Sequence, residues 1–69
     1  MEKKSFGQAL RRERESHGMS AEGFSSAMGL DLEKYSAIES GEELPSLELA
    51  QDIADALGVP LDTLTRHQY

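Results

Sequence analysis

Acidic and histidine side chains near the start of the chain are the first candidates for catalysis. Glu13, Glu15 and His17 lie close together in the sequence, and carboxylates beside an imidazole are groups that general acid–base chemistry uses. They fall on the exposed part of a predicted helix, however, where such residues more often serve solubility. The sequence has no Cys, one further histidine (His67) and no Gly-rich phosphate loop, so it offers neither a thiolate nucleophile nor a Cys/His ligand cluster. We predict no enzymatic activity, no metal site and no cofactor.

The charged side chains are unevenly distributed. The 69 residues carry a formal net charge of −6, which repels a polyanion at long range. Residues 1–14 hold five basic and two acidic side chains, whereas residues 31–43 hold five acidic side chains and one lysine. Lys and Arg supply most of the sequence-independent affinity for nucleic acid, because they neutralise phosphates. Arg12 and the Lys3-Lys4 lead-in are therefore either phosphate contacts or part of a solvated face.

The spacing of apolar residues, glycines and prolines predicts five helices and no strands. The predicted helices run from about Phe6 to His17, Ala21 to Met28, Leu32 to Ser40, Leu47 to Leu57 and from Pro60 through Leu64. A chain of 69 residues allows one domain, residues 1–69 with a core of about 6–64, so the predicted fold class is an all-α bundle. No apolar run approaches the roughly 20 residues that a bilayer requires, and we predict a cytoplasmic protein without a membrane segment.

Several residues are predicted to define where these helices begin. Ser5 with Gln8 has the form of a capping box, which leaves Met1 to Lys4 as a frayed lead-in. Ser20, Asp31 and Ser46 are predicted N-caps of the second, third and fourth helices. Gly7 is unusual inside a helix, where it costs about 1 kcal/mol relative to Ala. It either permits the close approach of another helix or lies near a fraying end.

The stretch from Ser20 to Gly41 reads as two short helices joined by a tight turn. Gly29 fits the left-handed position that ends the first of them. Apolar residues at helical spacing line the inner faces: Phe24 and Met28 in the first helix, Tyr35 and Ile38 in the second. This local chemistry predicts a helix-turn-helix.

An ordered series of motifs resembles the lambda-repressor-like (XRE) helix-turn-helix family. The motifs are Ser-x-Glu-x-Phe, a Gly before Leu-Asp, Tyr-x-x-Ile-Glu-x-Gly, Pro-Ser-Leu and the closing Ile-Ala-x-Ala-Leu-Gly-Val-Pro-Leu-Asp-Thr-Leu. The resemblance covers Phe6 to Leu64 and implies a compact five-helix lambda-repressor-like bundle. It also implies a DNA-binding transcriptional regulator of the XRE type. In such a homodimer, the third helices enter successive major grooves of a two-fold symmetric operator on double-stranded DNA.

By the same resemblance, the starts of helices two and three face the major groove. The positions are Ser20, Ala21, Leu32, Glu33, Lys34, Ser36 and Ala37, with Arg12 as a further candidate phosphate contact. The family often places Gln at Ala21 and polar or basic residues at Leu32, Glu33 and Ala37, so this chain departs from it. Glu can accept from a cytosine amino group, and Leu or Ala can contact a thymine methyl group. The set is nevertheless poor in donors, and Glu42 and Glu43 occupy the loop that runs close to the DNA backbone in the family.

The resemblance implies two further features. An ion pair between Arg14 and Glu39 would fix helix one against helix three, with a structural role. The homodimer contact would lie at Leu61, Leu64 and the C-terminal tail to Tyr69, by analogy with family members that dimerise through this end.

The acidic third helix leaves a second hypothesis open. With weak or no DNA binding, the helix-turn-helix would instead bind a basic protein partner, or mimic nucleic acid, through the helix-three face and the Glu42-Glu43 loop. Complementary charge would speed the encounter with such a partner. The segment Leu-Arg-Arg-Glu-Arg-Glu-Ser also resembles the cytoplasmic head of membrane-anchored cell-shape proteins, whose helix-turn-helix contacts an actin-like filament. The chain-wide series of motifs makes DNA binding the first hypothesis.

Overall fold

Five helices follow one another in the computed structural model, which describes residues 3–65. They are α1 (Lys3–Ser16), α2 (Ala21–Ala27), α3 (Leu32–Ser40), α4 (Leu47–Leu57) and α5 (Leu61–Thr65), and no strand occurs between residues 3 and 65. Helix α1 packs against α3 and α5, α2 packs against α3, and α4 packs against α5. The predicted all-α five-helix bundle, with a helix-turn-helix at α2 and α3, is confirmed.

The core is built from one apolar face of each helix. Its largest fully buried side chains come from all five helices: Phe6, Leu10, Phe24, Tyr35, Ile38, Ile53 and Leu64. This is the outcome expected when apolar residues recur at three- and four-residue spacing, because they then share the inward face of a helix. Burying one such aliphatic or Phe side chain contributes about 1.5–3 kcal/mol relative to leaving it exposed.

The burial of Leu64 corrects one expectation from the sequence. Leu64 has no exposed surface, because it packs into the core from the short helix α5. It therefore offers nothing to a second protomer, and the assignment of Leu64 to a dimer contact is wrong. Leu61 is half-buried and packs at the edge of the same core, while the tail at residues 66–69 lies outside the described residues.

Helix α1 begins earlier than the sequence predicts. It includes Lys3 and Lys4, so Ser5 lies inside the helix and the Ser5–Gln8 capping box is wrong. The predicted frayed lead-in is wrong at Lys3 and Lys4, while Met1 and Glu2 lie outside the described residues. The first turn of α1 lies against the end of α3: a methyl group on Gly41 would lie 2.9 Å from Lys4 Cγ and 3.1 Å from Lys4 Cα. This tertiary contact, which local sequence patterns do not reveal, accounts for the earlier start.

Gly7 lets α1 approach α3 closely. A Cβ atom at Gly7 would lie 2.4 Å from the carbonyl oxygen of Glu39 and 2.7 Å from that of Ile38. No side chain fits into that space, so the glycine allows the backbones of the two helices to touch. Of the two explanations that the sequence leaves open for Gly7, close helix approach is confirmed.

The turn between α2 and α3 follows the pattern expected of it. Gly29 has φ 71°, the left-handed conformation that glycine adopts without steric cost. Its amide donates to the carbonyl of Ser26 at 3.0 Å, and the amide of Leu30 donates to that of Ser25 at 2.9 Å. These two hydrogen bonds form a Schellman motif, which ends α2 and redirects the chain into α3.

The N-caps agree with the sequence in two of three cases. Ser20 accepts a hydrogen bond from the amide of Gly23 at 3.0 Å, and Ser46 accepts one from the amide of Leu49 at 3.2 Å. Asp31 occupies the N-cap position of α3, but its carboxylate makes no capping hydrogen bond. The first amides of α3 therefore lack this side-chain acceptor.

Candidate nucleic-acid interface

Contacts between α2 and α3 hold the helix-turn-helix together. The rings of Phe24 and Tyr35 meet edge to face, with centroids 5.6 Å apart and planes at 62°. Such a pair contributes about 0.5–1.5 kcal/mol beyond the area that it buries. Both rings are buried, so this contact fixes one side of α3 and leaves its opposite side facing outward.

Arg14 and Glu39, the pair expected from the resemblance, are in contact between α1 and α3. Arg14 Nε donates to Glu39 Oε2 at 3.0 Å, and Arg14 Nη2 donates to Oε1 at 3.2 Å. The two side chains are only 9% and 15% exposed. Arg14 Nη1 also donates to the carbonyl oxygen of Met19 at 2.6 Å. One guanidinium thus joins α1, the α1–α2 turn and α3.

Tyr35 adds a hydrogen bond that was not predicted from the sequence. The sequence pattern places this residue only in the apolar stripe of α3, whereas its hydroxyl donates to Glu39 Oε2 at 2.5 Å. A spacing of four residues places the two side chains on one side of the helix, and this spacing was the available signal. Glu39 is consequently held by donors from two helices.

The protonation states of this network follow from burial and hydrogen bonding. Burial alone would raise the pKa of Glu39, but the hydrogen bonds from Arg14 and Tyr35 outweigh it and lower that pKa. The hydrogen bond with Glu39 raises the pKa of Arg14, and burial raises the pKa of Tyr35. At neutral pH the network therefore consists of a carboxylate, a guanidinium and a neutral phenol, and it positions α3.

An open groove runs along the outward side of α3. Its lining residues are Asp31, Leu32, Glu33, Ser36, Ala37, Ser40 and Glu42. The groove therefore brings together Leu32, Glu33, Ser36 and Ala37, four of the residues that the resemblance places at the major groove. The Leu32 residue is 43% exposed and presents apolar surface beside carboxylates and hydroxyls. No Lys or Arg of the described residues lines it.

The other predicted contacts lie outside this groove. Ser20 is exposed at the start of α2, and Ala21 beside it is half-buried against the core. Arg12 is exposed on α1. Lys34 is exposed on the flank of α3, where its ammonium forms an ion pair with the carboxylate of Glu43. The family resemblance places Glu43 close to the DNA backbone and does not predict this pairing.

Residues 3–65 contain neither a metal-ligand cluster nor a membrane-spanning helix. No group of three or more His, Cys, Asp or Glu in this range is arranged to hold a metal ion. None of its helices is long and apolar enough to cross a membrane.

The sequence of this chain is similar to those of known proteins. Residues 10–64 match the family model described as helix-turn-helix. The chain is also 38% identical over 64 residues to the uncharacterized HTH-type transcriptional regulator YazB of Bacillus subtilis (strain 168), a match that covers 93% of each protein. These findings confirm the predicted XRE-type resemblance and favour the regulator hypothesis over the protein-recognition alternative. The chain belongs to the helix-turn-helix family of the XRE type.

Proposed function

We propose that the protein is a DNA-binding transcriptional regulator in which α3 is the recognition helix. The observation that carries this proposal is the groove on the outward side of α3, at the positions where XRE-type proteins meet DNA. Leu32, Glu33, Ser36 and Ala37 all line that groove, and an α-helix presented in this way fits the major groove of B-DNA. The name of the Bacillus subtilis relative supports a role in transcription.

The chemistry of the groove determines which base edges it can read. Glu33 is an acceptor at neutral pH, and the cytosine amino group is the donor that a carboxylate reads in the major groove. Leu32 and Ala37 offer apolar contact to a thymine methyl group, and the hydroxyl of Ser36 can serve as donor or acceptor. We therefore expect readout of pyrimidine groups, cytosine N4 and thymine C5-methyl, in place of the bidentate arginine contact to guanine.

Phosphate contacts come from residues beside the groove. Lys34 on α3 and Arg12 on α1 are the candidates among the exposed cations. Glu42 also lines the groove, and it opposes DNA binding because its carboxylate repels phosphate oxygens. We expect modest sequence-independent affinity, so that base contacts contribute a large share of operator binding.

A homodimer completes this proposal. Two-fold symmetric operators are read by two protomers whose recognition helices enter successive major grooves. Among the described residues, Leu61 is the part of the predicted dimer contact that remains. It is half-buried at the outer edge of the core. We propose self-association through the α5 end, which separates the dimer contact from the α3 groove.

The test is binding of the purified protein to random-sequence duplex DNA, titrated from low to moderate salt. Binding that weakens steeply with salt supports a phosphate-contacting face, and selection of a preferred site from a random pool follows. Absence of binding even at low salt, with a protein that remains folded, refutes the proposal.

A pair of variants ties the binding to α3. Ser36→Glu adds a carboxylate to the proposed DNA face, where like charge facing phosphate should weaken binding by about tenfold or more. Ala56→Glu is the matched control, because Ala56 is exposed on α4 and the change in net charge is identical. Equal effects of the two substitutions would exclude α3 as the recognition helix.

A further inference from the structure

Lys34, a candidate contact for DNA phosphates, forms an ion pair with Glu43 in the free protein. Lys34 Nζ donates to Glu43 Oε2, and the two side chains remain 45% and 40% exposed. Lys34 is the one basic residue of α3. In the free protein, its charge is already neutralised by a carboxylate of the loop that follows the helix.

The backbone of that loop holds Glu43 in place. Gly41 ends α3 with φ 87°, and the next two amides, of Glu42 and Glu43, both donate to the carbonyl oxygen of Ala37 at 2.9 and 3.1 Å. The chain therefore folds back along α3, on the flank where Lys34 lies one turn before Ala37. Because hydrogen bonds fix the loop backbone, forming the pair costs side-chain conformational entropy but no further backbone entropy.

We propose that Glu43 acts as an internal competitor that holds Lys34 and lowers the affinity for DNA. The inference rests on the proposed function. A phosphate that approaches Lys34 must either displace the Glu43 carboxylate or share the ammonium with it, and in both cases a carboxylate lies beside the polyanion. Glu42 differs from Glu43, because it makes no ion pair with any residue of the described part of the chain.

The proposed competition has a consequence for specificity. Phosphate contacts are the same for every sequence, whereas base contacts differ. Glu43 therefore weakens binding to all DNA by the same factor and makes the protein depend more on the base contacts of the α3 groove. The carboxylate of Glu33, which lines that groove, differs from that of Glu43, because it changes which base is preferred.

The experiment measures affinity for a random-sequence duplex by fluorescence anisotropy at low salt. Five proteins are compared: wild type, Lys34→Ala, Glu43→Gln, the double variant Lys34→Ala/Glu43→Gln, and Glu42→Gln. The last is the matched control, because it removes one carboxylate at the neighbouring position without releasing Lys34. Urea unfolding of each protein checks that it is folded, and Glu43→Ser provides a second way to remove the carboxylate.

We expect Glu43→Gln to bind about fivefold more tightly than wild type and Glu42→Gln about twofold, the difference being the release of an exposed ion pair. Lys34→Ala should cost at least about threefold more affinity in the Glu43→Gln protein than in wild type. Equal affinity of the two Gln variants, or an equal effect of Lys34→Ala in both backgrounds, overturns the competitor role and leaves the proposed function standing. Failure of all five folded proteins to bind overturns the proposed function, and the competitor role with it.

Discussion

Glu39 stabilises the fold through its ionised form, so its contribution depends on pH. Its pKa lies below the ordinary value, because the hydrogen bonds from Arg14 and Tyr35 outweigh the effect of burial. A carboxyl whose folded pKa is depressed contributes stability fully above its unfolded pKa, roughly 4.3. That contribution is lost as the pH falls through the folded pKa, since the unfolded chain then binds the proton more readily.

The prediction is that Glu39→Gln lowers the free energy of unfolding at pH 7 by about 2–3 kcal/mol, because it leaves Arg14 buried without its counter-charge. The difference between wild type and variant should shrink as the pH falls below the unfolded pKa, roughly 4.3, and through the lower folded pKa, where wild-type Glu39 also becomes neutral. Urea unfolding at a series of pH values measures both effects. Asp52→Asn, at an exposed position of α4, is the control and should remain within about 0.5 kcal/mol. A pH-independent difference would contradict the account.

Glu33 provides the second prediction at this scale, which concerns base preference. If the carboxylate accepts from a cytosine amino group, Glu33→Gln should shift the preferred base at that operator position from cytosine to adenine, which glutamine reads with two hydrogen bonds. The expected change in discrimination is about tenfold or more. Selection from a random duplex pool with each protein measures it.

Glu48→Gln is a close control for this experiment, because Glu48 is also an exposed residue in the first turn of its helix, α4. It removes the same charge at a distance from the groove. An unchanged base preference in Glu33→Gln, or the same shift in Glu48→Gln, would remove Glu33 from the set of base-reading residues.

At the scale of elements, the sequence predicted the helices well where local signals agree. The bounds of α3 and α4 are those expected, because a polar N-cap position precedes each helix and a glycine follows it. The start of α1 was wrong, since the contact of Lys4 with Gly41 is made across the fold and leaves no local pattern. The ion pair between Lys34 and Glu43 was not predicted for the same reason, because the turn at Gly41 brings together side chains that no helical repeat relates.

The contact between α1 and α3 gives the prediction for this scale. Gly7→Ala should raise the intrinsic helix propensity of α1 by about 1 kcal/mol. The added methyl group would nevertheless lie 2.4 Å from the carbonyl oxygen of Glu39. Backbone atoms cannot yield as a flexible side chain can, so the two helices must separate. We expect a net loss of about 1–3 kcal/mol in the free energy of unfolding.

Chemical denaturation measures this loss, and Gln8→Ala is the control, because Gln8 is exposed in the same helix and the change also favours helix. The control should be neutral or slightly stabilising. A Gly7→Ala protein as stable as the Gln8→Ala protein would show that α1 and α3 tolerate a wider separation. Because Glu39 also pairs with Arg14, separation of the helices should weaken that pair as well.

At the scale of the whole molecule, a net charge of −6 opposes association with DNA. The opposition is uneven, because four of the described cations, Lys4, Arg11, Arg12 and Arg14, lie on α1. Helix α3 carries only Lys34, and carboxylates line its groove. One protomer therefore offers few phosphate contacts, and a single half-site should be bound weakly. In the proposed homodimer, two linked protomers would overcome this weakness, since binding of the first raises the effective concentration of the second at the neighbouring half-site.

The spacing of half-sites tests this reasoning. A duplex with two half-sites about 10–10.5 base pairs apart places both recognition helices on one side of the DNA. Insertion of about five base pairs turns one half-site to the opposite side, so a rigid dimer can engage only one of them. We expect the insertion to weaken binding by at least about tenfold and to leave the protein bound through one recognition helix.

Anisotropy titrations measure the affinity, and sedimentation of the free and bound protein gives the number of protomers. Equal affinity for both spacings, with a monomer on each half-site, would show that the protomers bind independently and that the α5 end does not join them.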